Sequence, residues 1–418
     1  MKYEVRNTKY EIKNLHRVNL KLALSIVYCL LSIVSFAQSD SVYRISLILP
    51  FQTESTVEKL DGFSNAHDFF TASRIHLNED AVIALDFYEG ALEALRETND
   101  SFKVELKVYD CYNSDSVTTE LLKKDDLKKS DVIIGAMSVS GSKLVADYCK
   151  QNKIINVQPF SPSKSLTADN PYHLKLSPTM DAHVDALFNS IIDSFAGGNI
   201  IIYTPDAEKS LSVAQRFDSL FRSYNKTALQ KFTVALLNTK TMMVNGKKTT
   251  AAEQVKTDRP NIFIITSFEE SFVNGNLRVL HDDLKTKRII VYGMPTWLNG
   301  DILRLDYVNN FSTRISDAFY LDSARNETLS FKNNFKTNFS QEPSKFAFLG
   351  FDVFNFVLEN LNDYGKDFIN NVATQHFNGT GYKFDISKNS KDGKQVNYYE
   401  NRNVAVFMVE NYQLKRVK

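Results

Sequence analysis

Apolar positions along this chain follow two alternating rhythms. Tyr43 to Pro50 (YRISLILP), Val132-Ile133-Ile134 and Ile154-Ile155-Asn156-Val157 are short, near-continuous apolar runs, the pattern of strands covered on both faces. Val104, Leu106 and Val108 instead alternate with Glu105 and Lys107, which predicts an edge strand with one face in water. Between these runs the apolar residues recur at helical spacing. Ile83, Phe87, Ala91 and Leu95 share one face of a helix predicted over 80–98, which Asn78 can cap and whose positive end Glu79 and Asp80 suit. SVSGSKLVADYCKQN predicts another helix. Alternating strands and helices specify a parallel open sheet.

The series then restarts. Asn199 to Thr204 (NIIIYT) predicts a strand, Ala207 to Tyr224 a helix and Phe232 to Leu236 a strand; Asn261 to Ser267 and Arg288 to Gly293 are strands flanking a further helix. The fold class is therefore α/β, with two Rossmann-like lobes in tandem. Asp317 to Leu321 is one more extended run, and helices follow at about 327–340 and 346–362. The C-terminus reads as strand, Lys-Asp-Gly turn, strand. These late elements have no sheet of their own, so the lobes are expected to interleave: residues 43–172 plus 315–385 in lobe I, and 173–314 plus 386–418 in lobe II.

Two stretches break the rhythm. Phe51 to Leu77 is a connection of about 27 residues where such loops usually run 2–6. It lies past the end of a strand, where open α/β sheets bind ligands; a lid, a partner-binding loop and a surface insertion all fit. The second stretch, QPFSPSKSLTADNPYHLKLSPT (158–179), follows a strand with hydroxyls at Ser161, Ser163 and Ser165 and then a long extended segment.

Composition narrows the function classes. The chain has 418 residues, 24% of them charged, and a net charge of +1, which gives no argument for a nucleic-acid partner. Its N-terminus is basic, and Leu22 to Ala37 is then almost wholly apolar, with Ser35 and Ala37 set for cleavage before Gln38. This is the secretory signal pattern over 1–37; the apolar run is short for a membrane span, which needs roughly 20 residues. Cys29 has no small residue before it, so lipidation is not expected. Cys111 and Cys149 are expected to be unpaired, on opposite rims of the first sheet. The His residues are scattered without ligand spacing, so no metal is expected. No cofactor motif occurs, and neither GxSxG nor HExxH is present, so an enzyme is not expected.

In order along the chain, RISLILPF, DFYEGALEAL, VELKVYD, DVIIGAMSVSGSKLVADYC, INVQPFSPSKSLTADNPYHLKLSPT and FNGTGYKFDI resemble a type I periplasmic binding protein of the branched-chain amino-acid receptor kind. The resemblance covers about 43–418, and it lies in the ordered set rather than in any one string. It implies two lobes flanking a cleft, with three chain crossings between them; Asn170-Pro171-Tyr172 would carry the first. It also implies that hydroxyls at Ser138, Ser140, Ser161, Ser163 and Ser165 hold a ligand carboxylate beside a helix N-terminus. Tyr203 and Trp297 could stack on the ligand, and Glu269, Asp110 or Glu270 could take an ammonium. Lys164 departs from the family, which has a small residue there. The bland readings stay open: helix caps for Ser138 and Ser140, turn chemistry for Ser-Pro-Ser, core packing for the aromatics and solvation for the acids.

Two functions follow from the resemblance. One is a periplasmic or extracellular receptor that binds a small, amino-acid-like molecule and passes it to an inner-membrane ABC permease. The other is an envelope regulatory or interaction protein, similar to peptidoglycan-synthase activators, that uses the same fold without transport.

Overall fold

The structure, a computed structural model, describes residues 42–53, 78–99, 102–166, 169–239, 243–244, 246–284, 289–298, 304–390 and 395–417. The expected signal segment, Cys29, most of the 51–77 connection, Thr167 and the Lys-Asp-Gly turn lie outside these residues.

Strands and helices alternate as the periodicity requires. The strands of the first half are β1 (Tyr43–Leu49), β2 (Val104–Asp110), β3 (Val132–Gly135), β4 (Ile155–Gln158) and β5 (His173–Lys175), followed by β6 (Asn199–Thr204), β7 (Thr233–Asn238), β8 (Met243–Val244) and β9 (Lys247–Lys248). The second half adds β10 (Asn261–Ile265), β11 (Ile289–Tyr292), β12 (Arg314–Asp317), β13 (His376–Asn378), β14 (Lys383–Ser390), β15 (Val396–Asn401), β16 (Ala405–Glu410) and β17 (Gln413–Arg416). The α-helices are α1 (Glu79–Arg96), α2 (Asp115–Leu121), α3 (Asp125–Lys128), α4 (Val139–Asn152), α5 (Met180–Ser194), α6 (Glu208–Tyr224), α7 (Glu270–Asp283), α8 (Leu305–Asn310), α9 (Asn326–Phe339) and α10 (Lys345–Tyr364).

Two sheets result. The first runs β13-β14-β15-β5-β4-β3-β1-β2 and the second β17-β16-β12-β11-β10-β6-β7-β8-β9. β2 is the edge of the first sheet and is half exposed along its length, as its alternation predicts. In the central strands alternate side chains enter separate cores: Ile45, Leu47 and Leu49 pack on one face of β1 and Ile48 on the other, while Val132 and Ile134 oppose Ile133 in β3. The larger of these two cores lies under α1, α9 and α10 and is rich in phenylalanine. There α1 crosses α10 backbone to backbone. A Cβ on Gly90 would stand 2.0 Å from the Ala347 carbonyl oxygen, and one on Gly350 would stand 1.9 Å from that of Phe87. Cys111 and Cys149 are free, and both are buried in the smaller core. Burial raises both thiol pKa values.

The sheets divide the chain at points other than the expected ones. β5, assigned to lobe II on sequence, is a strand of the first sheet, paired with β4 and β15. Asn170-Pro171-Tyr172 carries no crossing: buried Asn170 accepts from the Tyr172 N–H (3.1 Å) and donates to the Ala146 carbonyl (2.9 Å), a turn that returns the chain to the first sheet. β12 lies wholly in the second sheet, and β14 and β15 both lie in the first. The β14–β15 pairing over Ile386–Ser390 keeps this late hairpin in the first lobe past the expected boundary at 385. The crossings therefore fall at 176–179, just after Asp317, and at 402–404. Asn401 ties the first to the last: its amide donates to the carbonyls of Leu176 and Lys383, and its oxygen accepts from the Asp385 and Asn403 N–H groups.

Candidate functional site

A cleft of about 790 Å³ lies between the lobes, at the C-terminal ends of the parallel strands. Its first-lobe wall begins where β3 and β4 end. Ser138 caps α4, accepting from the Gly141 N–H (3.1 Å), and also lines the cleft. Past β4, Gln158 is fully buried and braces the loop. Its amide donates to the Ala136 carbonyl (2.8 Å) and the Ser142 hydroxyl (2.6 Å), and its oxygen accepts from the N–H groups of Phe160 (2.7 Å) and Ser161 (3.2 Å). With these backbone groups satisfied by one side chain, Ser161 and Ser163 are held at the cleft surface, and Phe160 packs its ring on Phe87 at 4.9 Å.

The second-lobe wall comes from α5, α6 and the 3₁₀ turn Pro295–Leu298. It presents Met180, His183, Lys209 and Thr296. Burial pushes the His183 imidazole down to about 4, so it is neutral at pH 7, and its Nδ1 pairs with the Ser316 hydroxyl at 3.0 Å. Lys209 Nζ sits 3.9 Å from the centre of the Phe268 ring. The Thr296 hydroxyl is buried with no hydrogen-bond partner among the described residues.

The rest of the wall comes from the crossings and α10, namely Leu176 and Ser177, Asp317 and Phe319, Lys345 and Phe346, and Tyr382. Burial raises the Asp317 carboxyl, opposed by the Phe319 N–H (3.1 Å) and by the Lys345 charge. Tyr382 is carried by a turn pinned to Asp352. That buried carboxylate accepts from the N–H groups of Thr380 (2.7 Å), Gly381 (2.8 Å) and Tyr382 (2.7 Å) and from the Thr380 hydroxyl (2.9 Å). Burial pushes it up to about 6 against these bonds, so it is mostly ionised at pH 7. One further buried charge touches the site from behind. Lys175, on β5, donates from Nζ to the Ser163 carbonyl, and burial pushes its ammonium down to about 8 despite the attraction of Glu400.

Of the residues singled out on sequence, Ser138, Ser161 and Ser163 line the cleft. Ser140, Ser165, Tyr203, Glu269 and Trp297 are not among its lining residues. Ser140 is exposed in the first turn of α4, and Ser165 is exposed and bonded to the Ser163 hydroxyl at 2.8 Å. Tyr203 points to the core face of β6 and meets Phe272. Trp297 folds back over Gly293, where a Cβ would stand 2.2 Å from the indole, and its N–H donates to the Ser267 carbonyl at 2.9 Å. Glu269 is the exposed N-cap residue of α7. Asp110 is committed to the N–H groups of Gln52, Thr53 and Tyr112. Lys164 turns away from the cleft and pairs with Asp181.

Sequence reasoning missed Asp317, His183, Lys209, Lys345, Thr296 and Tyr382. Asp317 carried a readable signal, since it closes a strand, the position that singled out the serines. Among the described residues no group of three or more His, Cys, Asp or Glu is placed to hold a metal, and no helix is long and apolar enough to cross a membrane.

No protein-family model and no curated protein matches the sequence. Solved structures do. One from Rhodospirillum rubrum, assigned to branched-chain amino acid ABC transport, has a TM-score of 0.62 at 14% identity and covers 90% of this chain and 100% of its own. A branched-chain amino acid transporter from Rhodopseudomonas palustris gives 0.59 at 14% identity, over 90% and 95%. A substrate-binding protein from Desulfitobacterium hafniense in complex with Leu gives 0.55 at 12% identity, over 90% and 100%. The chain has the type I periplasmic binding protein fold: two α/β lobes with mostly parallel sheets and a cleft between them.

Proposed function

We propose that the protein is an extracytoplasmic solute-binding protein, not an enzyme, and that it takes a small polar ligand between its lobes. The observation that carries this reading is the meeting of Ser138, Ser161 and Ser163 with His183, Lys209 and Thr296 on one cleft. Three hydroxyls and the N-terminus of α4 offer donors without net charge, which suits a carboxylate. Met137, Phe160, Leu176, Met180 and Phe319 give that ligand an apolar bed. The solved structures of the same fold support a role in uptake, with an inner-membrane ABC permease as partner and a periplasmic or extracellular location.

The second reading, an envelope interaction protein, is favoured by one observation. None of Asp110, Glu269 and Glu270, the acids expected to hold an ammonium, lines the cleft; the carboxylates that do are Asp80, which accepts from the Asn113 amide, and Asp317. Mass spectrometry of small molecules released from the purified protein separates the two readings. A recovered carboxylate whose calorimetric affinity falls in both Ser138→Ala and Ser161→Ala supports uptake. A protein that releases nothing, and that binds neither leucine nor benzoate, supports the interaction role.

A further inference from the structure

A series of ion pairs runs across the hinge side of the molecule, beside the cleft wall. On the first-lobe side Lys164 projects from the turn that follows the serines. Arg402 stands where the chain leaves β15, its N–H still bonded to the Asp385 carbonyl at 3.0 Å. On the second-lobe side Asp181 and Asp185 sit one turn apart on α5, and Arg216 stands on α6 beside them. Lys164 pairs with Asp181, which also lies 3.6 Å from Arg216. Asp185 gives one oxygen to Arg216 and the other to Arg402, each at 2.5 Å. Arg402 reaches Glu400 with its other terminal nitrogen, Nη1, at 2.7 Å. Glu400 lies in register beside Lys175, which holds the Ser163 carbonyl. The series thus starts and ends at neighbouring residues of the serine loop.

Pairs within a lobe persist at any angle between the lobes. Lys164–Asp181 and Arg402–Asp185 do not, because their partners belong to different bodies. Asp185 is satisfied on both oxygens only when Arg402 and Arg216 approach it together. Its side chain and those of both arginines are about one-third exposed, so solvent screens these pairs only in part.

We propose that Asp181 and Asp185 are a charge clasp that holds the two lobes at the observed closure. The clasp sets lobe geometry irrespective of which ligand, if any, occupies the cleft. Spin labels report it directly. Ser140→Cys and Glu270→Cys place them on exposed positions at helix N-termini of opposite lobes, and in a Cys29→Ser background the buried Cys111 and Cys149 stay unlabelled. Electron–electron distance measurements on the ligand-free protein are expected to give a longer mean distance in Asp181→Asn/Asp185→Asn, with the open population raised about tenfold. Wild type should shift the same way as salt rises to about 1 M, where the Debye length falls to about 3 Å. Asp147→Asn, which breaks only the Lys143 pair within α4, should not move it. An unmoved distance in a folded double variant overturns the clasp. If circular dichroism shows the double variant unfolded, Asp181→Asn and the wild-type salt series decide: a shift in both supports the clasp, and an unmoved distance in either overturns it.

Discussion

In the first lobe, the segments that follow β3 and β4 turn hydroxyls toward the cleft; in the second, Tyr203 at the end of β6 and Trp297 after β11 turn their rings into the core. Both sets occupy the same topological position. What separates them is local bracing. Gln158 satisfies the backbone of the first-lobe loop from within, so that its serines are left at the surface. In the second lobe Gly293 leaves room for Trp297 to fold back, and the Ser267 carbonyl takes its N–H. A strand end therefore fixes where a binding wall can be, and the neighbouring residues fix whether its side chains face that wall.

The sharpest way to break this contrast is Trp297→Ala. If the ring is core rather than cleft, the substitution should lower stability by about 3–5 kcal/mol in urea unfolding, while any ligand affinity in the surviving folded fraction stays near wild type. A binding defect with intact stability would return Trp297 to the cleft. Gln158→Leu attacks the other side. It strands buried partners on both sides of the amide, and a loss of about 2–3 kcal/mol is expected. A stability within experimental error of wild type would remove the bracing argument.

The brace behind Ser163 is read through pH. Folded Lys175 releases its proton near pH 8, whereas an unfolded lysine does so near 10.4. Between these values the unfolded chain binds more protons, so stability from this group rises with pH. Wild type minus Lys175→Met should gain about 1.6 kcal/mol between pH 8 and 9.5, since the slope rises from half to nearly the whole of roughly 1.4 kcal/mol per pH unit over this range. Parallel curves would mean that the buried ammonium keeps its ordinary affinity for protons. The smallest effect is expected for Ser163→Ala, whose hydroxyl is bonded to its neighbour Ser165. Stability should change by less than about 0.5 kcal/mol. If a carboxylate co-purifies, its affinity, measured by calorimetry, should fall by a few-fold.

Much of the fold was legible because parallel strands covered on both faces need continuous apolar runs, and NIIIYT or DVIIG offer few other readings. The crossings were harder. Asn170-Pro171-Tyr172 carries the residues of a hinge, yet Asn170 uses both ends of its amide to make a turn within one lobe. Nor could the local pattern at 386–401 say which of two sheets its strands would join, since that depends on pairing with β5. At the site, Ser138, Ser161 and Ser163 followed from their place after strands. Tyr203 and Trp297 did not, because ring direction is set by the parity of β6 in one case and by Gly293 in the other. Lys345 comes from α10, a late element whose position beside the cleft is known only once the first sheet is assembled.

The crossing of α1 on α10 has a consequence for how the chain is made. Gly90 and Gly350 meet backbone to backbone, although one is read out early in synthesis and the other near its end. Until residue 345 and beyond have emerged, α1 lacks its α10 neighbour, and β5 lacks β15 along one side. In the second lobe β7, β6, β10 and β11 pair with one another within one contiguous stretch, and only β12 waits for the late strand β16. Pairings over this separation are slow to close, so the nascent first lobe must remain soluble, with the aliphatic face of its sheet still waiting for the phenylalanines of α9 and α10, for most of the time the ribosome spends on this chain.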